Sequence, residues 1–149
     1  AVFVKNPGLS VGVLTADCIP LILADPVQKT VCVVHAGRKG VFLNIVEKAL
    51  ARMNASKETA AVLGPFIRKC CYEVKDDVFE NGFNDFKKYF NGGTLDIASA
   101  VIDQITSAGV LSKNIHDSGI CTSCSVGEFF SHRREQGVAG RFMTGVCIK

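Results

Sequence analysis

The chain has 149 residues, 48% of them hydrophobic, and a formal net charge of +3. Its length is typical of one domain, and its apolar content excludes intrinsic disorder. Its weak, scattered positive charge argues against a nucleic-acid partner. No apolar run approaches the ~20 residues of a membrane-spanning helix, so no membrane partner is expected either.

The first third of the chain predicts a buried β-hairpin. Residues 19–24 and 31–35 are apolar, β-branched-rich runs, which are typical of strands covered on both faces. The polar, proline-containing segment between them predicts a turn, so the two strands should pair antiparallel. A further strand is predicted at residues 11–14, directly before the sequence LTADCIP.

The rest of the chain predicts helices interspersed with short strands. Apolar residues at helical spacing predict one helix of about four turns within residues 36–53, a helix-like region over 76–89 and an amphipathic helix over 95–110. Strands are predicted at 60–67, broken by Gly64 and Pro65, and at 141–148. This order predicts an α+β fold with a mixed sheet, and residues 1–149 are expected to form one domain.

Cys18 and His35 form the first candidate site. If the hairpin strands pair, Cys18 at the strand junction lies near His35 at the end of the partner strand. A nucleophilic or metal-binding cysteine needs a lowered pKa, which an imidazole or a metal supplies. The alternative is a buried thiol beside a hydrogen-bonded core histidine, and the residue pattern by itself favours that alternative.

The seven cysteines lie mostly in apolar segments, which predicts a reducing, cytoplasmic location and mainly structural thiols. Cys121 and Cys124 form a CxxC, which is half of a zinc knuckle or a redox pair. A second CxxC is absent, and the adjacent Cys70 and Cys71 are poorly spaced for chelation. Structural thiols near a turn are therefore the prediction for this group.

Aromatic and cationic residues suggest two further binding positions. The segment FFSHRRE at 129–135 combines rings and guanidinium groups, which suit a planar or anionic ligand, although surface ion pairs remain an alternative. Arg38 and Lys39 lie near the start of a predicted helix, where cations can hold phosphate. A solvated charged turn is the alternative there.

Five motifs in order, TADCIPLILAD, VVHAGRKG, LGPFIRKCCYEV, CTSC and EFFSHRRE followed by GRF, cover nearly the whole chain. In these motifs the sequence resembles the laccase-domain family. Its members were formerly described as multicopper polyphenol oxidases and are understood as purine nucleoside phosphorylases, some with adenosine deaminase activity. The resemblance implies a four-layer α/β/β/α architecture with mixed sheets, related to the catalytic domain of cytotoxic necrotizing factor toxins.

The resemblance also implies a site of one cysteine and two histidines that can hold zinc. The cysteine of TADC corresponds to Cys18 and the histidine of HAG to His35, which makes both residues catalytic and metal-binding candidates. The second histidine of the family belongs to an N-terminal segment, so a domain lacking that segment is expected; neither His116 nor His132 matches it. Copper is not expected, because three histidines cannot build a multicopper centre.

The implied reaction is attack of phosphate on the anomeric carbon of a purine nucleoside, with the purine as leaving group. Adenosine deamination is the second implied activity. From their chemistry, Tyr72 and Phe130 are expected to stack on the base and Arg133 to bind an anion. The expected partners are a purine nucleoside, phosphate and a second copy of the chain. The alternatives are a metal-independent Cys–His hydrolase or deamidase, and an inactive binding domain that lacks the third ligand.

Overall fold

The computed structural model describes residues 1–80 and 82–149. Its strands are β1 Val2–Val4, β2 Ser10–Thr15, β3 Ile19–Asp25, β4 Thr30–Ala36, β5 Ala60–Leu63, β6 Phe90–Asn91, β7 Thr94–Leu95, β8 Ile115–Asp117 and β9 Phe142–Cys147. Its α-helices are α1 Arg38–Phe42, α2 Ile45–Met53 and α3 Ile97–Ser107. Short 3-10 helices span Asp76–Phe79, Asn84–Tyr89 and Ser112–Asn114. The α+β class is thus confirmed.

The main sheet has five strands in the order β1-β4-β3-β5-β8. It is mixed, because β5 and β8 pair in parallel and the other neighbours pair antiparallel. The predicted hairpin is confirmed as β3 and β4, with Ile19 opposite Ala36 and Pro20 opposite His35. Since Cys18 directly precedes β3, this register places it at the same edge of the hairpin as His35.

Helices cover one face of the main sheet and a two-stranded ribbon covers the other. Alternate residues of β3 and β4, such as Leu21 and Val34, join the helices in the main apolar core. The ribbon consists of β2 and β9, which contact β3 and β4. Its outer face is exposed at Leu14 and Met143. These elements form an α/β/β layering; the fourth layer and the relationship to the toxin domain stay predictions.

The prediction of one helix across residues 36–53 is wrong in one respect. The chain forms two helices, α1 and α2, separated at Asn44, which has a left-handed backbone with φ of +58°. Asparagine adopts this conformation more readily than most residues. The buried Gln104 on α3 donates to the Val41 carbonyl, 2.8 Å away, and to Asn44 Oδ1, 3.3 Å away. Periodicity alone does not show such a break.

The other helical predictions have mixed outcomes. Of residues 76–89, residue 81 lies outside the described chain; the others include two 3-10 helices, Asp76–Phe79 and Asn84–Tyr89, rather than a longer helix. Aromatic rings of this region pack onto Phe42 of α1, including Phe86 at 4.4 Å between ring centroids. The amphipathic helix is confirmed as α3, whose N-cap residue Asp96 accepts a hydrogen bond from the Ser99 N–H at 3.1 Å. Among the described residues, no helix is long and apolar enough to cross a membrane.

Candidate functional site

Asp17 fixes the junction that presents Cys18. Its backbone has a φ of +82°, and its side chain is buried. The carboxylate accepts hydrogen bonds from Thr122 Oγ1 at 2.6 Å and from the Arg133 N–H at 2.7 Å. Its backbone carbonyl accepts from the Ile67 N–H at 3.0 Å. Asp17 therefore ties the β2–β3 junction to three segments that are distant in the sequence.

Cys18 and His35 border one cavity of about 300 Å³. Gly37, at the start of α1, lies between them: a Cβ atom built on it would be 2.8 Å from Cys18 Sγ and 3.8 Å from His35 Cδ2. The structure thus brings together the two residues that the sequence proposed as a pair. The other polar side chains of the lining are Asp17, Arg38, Tyr72, His132, Arg133 and Arg141.

The cavity is suited to an anionic, partly planar ligand. Three guanidinium groups line it, and guanidinium matches phosphate with two donors at once. Arg133 is held in place because it donates to the Glu73 carbonyl at 2.7 Å and its guanidinium carbon lies 5.7 Å from the centroid of the Tyr72 ring. Burial raises the pKa of Tyr72, so its phenol stays protonated at neutral pH.

The Cys18 sulfur is a neutral thiol in this environment. Burial, followed by the charge of Asp17, raises the pKa of Cys18, and the charge of Arg141 offsets this only in part. Because a thiolate is the reactive form of cysteine, a nucleophilic role for Cys18 requires a further group that lowers this pKa.

The structure places two other predicted residues away from the cavity. Phe130 is not among the lining residues, and its side chain lies against Gly140, where a Cβ atom would be 2.7 Å from the ring. Lys39 is exposed and also lies outside the lining, whereas its neighbour Arg38 is part of it.

Sequence reasoning assigned no role to Arg141 or His132, which both line the cavity. Both belong to the last quoted motif, Arg141 in GRF and His132 in FFSHRRE. Their membership in that motif was the available signal. Their approach to Cys18 depends on long-range packing, which no local pattern shows.

A second cluster of reactive side chains lies elsewhere. The sulfur atoms of Cys70, Cys71, Cys121 and Cys124 all lie within 4.8 Å of one another, close enough to hold a metal ion. The prediction that Cys70 and Cys71 are poorly placed for chelation is therefore wrong. A turn, in which Cys71 and Tyr72 N–H groups both donate to the Arg68 carbonyl, brings the adjacent cysteines to the CxxC loop.

Hydrogen bonds within the four-cysteine group shift the pKa values of Cys121 and Cys124 in opposite directions. Burial opposes ionisation of Cys121, but hydrogen bonds from the backbone of Arg68 and Cys124 and from the thiols of Cys70 and Cys124 outweigh it and lower its pKa to about 7. Hydrogen bonding with Cys71, Cys121 and Cys70 raises the pKa of Cys124 to about 12.

A protein-family model described as multi-copper polyphenol oxidoreductase laccase matches residues 1–149. The chain belongs to this family. The resemblance found in the motifs is thereby confirmed. The laccase name does not establish copper, and the three histidines of this laccase-family chain are too few for a multicopper centre.

Relatives of the laccase-family chain carry two enzyme names. A purine nucleoside phosphorylase of Clostridium acetobutylicum is 34% identical, with alignment over 93% of this chain and 62% of that protein. An adenosine deaminase of an unknown prokaryotic organism is 33% identical, over 100% of this chain and 62% of that protein.

The crystal structure of the hypothetical protein YfiH of Bacillus licheniformis matches with a TM-score of 0.87 at 32% identity. That match covers 99% of this chain and 60% of the other. The laccase-family chain therefore spans about 60% of the length of these relatives.

Proposed function

We propose that the protein is a purine nucleoside phosphorylase that cleaves adenosine- or inosine-type nucleosides with phosphate at the Cys18–His35 cavity. The observation that carries this proposal is the combination of that pair with three guanidinium groups and a half-buried tyrosine in one cavity of about 300 Å³. Relatives named purine nucleoside phosphorylase support the same reaction class.

The guanidinium groups of Arg38, Arg133 and Arg141 are proposed to hold phosphate. Several positive groups around one small cavity stabilise a multiply charged anion and orient its oxygens. Phosphate held in this way attacks the anomeric carbon of ribose, and the bond to the purine nitrogen breaks. The products are the free base and a ribose phosphate ester.

Tyr72 is proposed to contact the purine, since its ring is half-buried at the cavity and its phenol remains a hydrogen-bond donor. His35 is proposed to hydrogen-bond the leaving base or the ribose, because its side chain reaches the same cavity. Stacking of Phe130 on the base stays a prediction. Such contact would require the nucleoside to extend past Arg141 towards Gly140.

Zinc at Cys18 and His35 is also a proposal. These side chains are suitable zinc ligands, but catalytic zinc uses three protein ligands. Among residues 1–80 and 82–149, the structure brings no third histidine, cysteine or carboxylate into a chelating group with them. When bound with a complete set, zinc would supply Lewis-acid chemistry beside the leaving base. The present pair does not satisfy that requirement, so the roles above rest on the chain's own residues.

Product analysis tests the proposal. The purified protein is incubated with adenosine or inosine, with and without phosphate, and free base is separated by chromatography. We expect adenine or hypoxanthine to form only with phosphate, and Cys18→Ser and His35→Ala to abolish its formation. Absence of phosphate-dependent base release from the folded protein would contradict the proposal.

A pair of adjacent substitutions tests the phosphate site. Arg38→Ala removes a cavity guanidinium, whereas Lys39→Ala removes an exposed charge outside the lining. We expect the KM for phosphate to rise at least ~10-fold for Arg38→Ala, the loss of about one charge-assisted hydrogen bond. Lys39→Ala should leave KM unchanged. An equal rise in the KM for phosphate in both variants would show that phosphate binding depends on general surface charge and not on the position of Arg38.

Adenosine deamination is the second candidate, favoured by the adenosine deaminase relative that aligns over the whole chain. The same assay separates the two activities, because deamination converts adenosine to inosine without phosphate. Activity that is lost on chelation and restored by zinc would argue against the metal-independent hydrolase. Nucleoside binding without either product would support the inactive binding domain instead. The homodimer and the cytoplasmic location stay predictions.

A further inference from the structure

We propose that Cys70, Cys71, Cys121 and Cys124 bind one structural zinc ion, at a site separate from the Cys18–His35 cavity. The ligands come from two segments about 50 residues apart: the turn after Arg68 and the CxxC loop. None of these four cysteines lines the catalytic cavity. This proposal does not depend on the proposed enzymatic activity.

The sulfur separations fit a zinc ion held by four thiolates. With zinc–sulfur bonds of about 2.3 Å, sulfur atoms at the corners of a tetrahedron lie roughly 3.8 Å apart. Cys124 Sγ lies 3.7 Å from Cys70 Sγ and 3.4 Å from Cys71 Sγ, and all six pairs are within 4.8 Å.

The surroundings of the cluster also suit a thiolate-bound metal. The Arg68 N–H donates to Cys121 Sγ at 3.5 Å, a hydrogen bond that orients a ligand from outside the coordination sphere. The Arg134 guanidinium donates to the carbonyls of Thr122 at 2.7 Å and Ser123 at 3.2 Å, which fixes the loop between the two CxxC sulfurs.

The ligand set selects the metal class. Four thiolates in a tetrahedral arrangement favour zinc or iron and disfavour magnesium and calcium, which prefer oxygen ligands. Because all four positions are occupied by protein ligands, no position remains for substrate, and the zinc is structural. Its expected effect is to lock the turn that carries Tyr72 to the loop that carries Thr122.

Metal analysis tests the site. Protein purified under reducing conditions without chelator is analysed for zinc and iron by mass spectrometry. The variants are the double substitution Cys70→Ser with Cys124→Ser, which alters two exposed ligands, and the single substitutions Cys147→Ser and Cys18→Ser. We expect one zinc per chain to be lost from the double variant and retained in both single variants.

A second measurement needs no variant. Cobalt titrated into the metal-free protein should produce the intense near-ultraviolet absorption of thiolate-to-cobalt charge transfer, and zinc should abolish it. Circular dichroism checks that the double variant is folded. The proposal is overturned if the protein contains iron in place of zinc, or if zinc is lost from Cys18→Ser but kept in the double variant. It is equally overturned if the reduced protein binds neither zinc nor cobalt, or if the mass of the protein shows a disulfide between the turn after Arg68 and the CxxC loop.

Discussion

At the level of single residues, the position of the Cys18 sulfur depends on the absence of a side chain at Gly37. The backbone there has φ of −81° and ψ of 162°, which any residue can adopt, so conformational freedom is not the reason for glycine. The reason is space, because a Cβ atom would lie 2.8 Å from Cys18 Sγ. This close approach allows the cysteine and His35 to border one cavity.

Gly37→Ala is therefore expected to displace the Cys18 thiol without straining the backbone. A displacement of this kind can lower catalytic efficiency by about 10- to 100-fold, whereas overpacking lowers the free energy of unfolding by only about 1–3 kcal/mol. The measurements are kcat/KM for phosphate-dependent base release and urea unfolding.

Gly40→Ala is the matched control for Gly37→Ala. Its Cβ atom would meet Ile45 Cγ2 at 3.4 Å, an ordinary contact, and alanine favours the helical conformation of α1. This variant should remain active and equally or more stable. If both variants lose activity to the same extent, steric control of Cys18 by Gly37 is wrong.

At the level of elements, Asp25 fastens the β3–β4 hairpin to the segment that precedes β5. Its buried carboxylate accepts from the N–H groups of Val27 and Gln28, both at 2.8 Å. It also accepts from the Ser56 N–H and from Thr59 Oγ1 at 2.7 Å. Burial alone would raise the pKa of Asp25, but the hydrogen bonds from Ser56, Gln28 and Thr59 outweigh it and lower the pKa to about 2.

This lowered pKa predicts how stability depends on pH. The ordinary carboxyl pKa is 3.8, so the folded state holds the Asp25 proton more weakly than the unfolded state. The resulting stabilisation of about 2 kcal/mol is present in full above pH 4 and is lost as the pH falls towards 2. Urea unfolding of the protein and of Asp25→Asn between pH 2 and pH 7 measures it.

Asp25→Asn should be less stable by about 2 kcal/mol at pH 7 and should lose less stability on acidification. Glu58→Gln is the control, because it removes an exposed carboxylate from the same segment. A parallel pH dependence in the protein and in Asp25→Asn would contradict the assignment.

The elements that could be predicted from the sequence are those whose signal is local. The hairpin followed from two apolar runs with a turn between them, and α3 from its stripe of Ile97, Val101 and Ile105. The break at Asn44 was missed because the apolar spacing continues across it and its hydrogen bond comes from α3.

The candidate site residues follow the same rule: those with a local sequence signal could be predicted, and those that depend on long-range packing could not. The register of the hairpin was enough to bring Cys18 and His35 together. The four-cysteine cluster and the place of Arg141 in the cavity depend on segments that meet only in the folded chain, so the CxxC and GRF motifs alone did not show which residues they contact.

At the level of the whole molecule, one hydrogen bond connects the cysteine cluster to the candidate active site. Thr122, inside the CxxC loop and fully buried, donates from its hydroxyl to Asp17 Oδ1 at 2.6 Å across 105 positions of sequence. Asp17 directly precedes Cys18 in the chain. The Thr122–Asp17 pair is therefore a buried link between the two sites, and loosening of the CxxC loop should change the exposure of the Cys18 thiol.

Thr122→Val removes this bond while preserving side-chain shape. A hydrogen bond to a buried carboxylate contributes roughly 1.5–3 kcal/mol, so the free energy of unfolding should fall by about 2 kcal/mol. Thr122→Ser keeps the hydroxyl and loses one methyl group, which should lower the free energy of unfolding by about 1 kcal/mol.

Alkylation of Cys18 by iodoacetamide, measured by peptide mass spectrometry, should be faster in the valine variant, because the junction that shields the thiol loosens. The serine variant should react at the rate of the unsubstituted protein. Equal rates in both variants would show that the bond stabilises the fold without positioning Cys18.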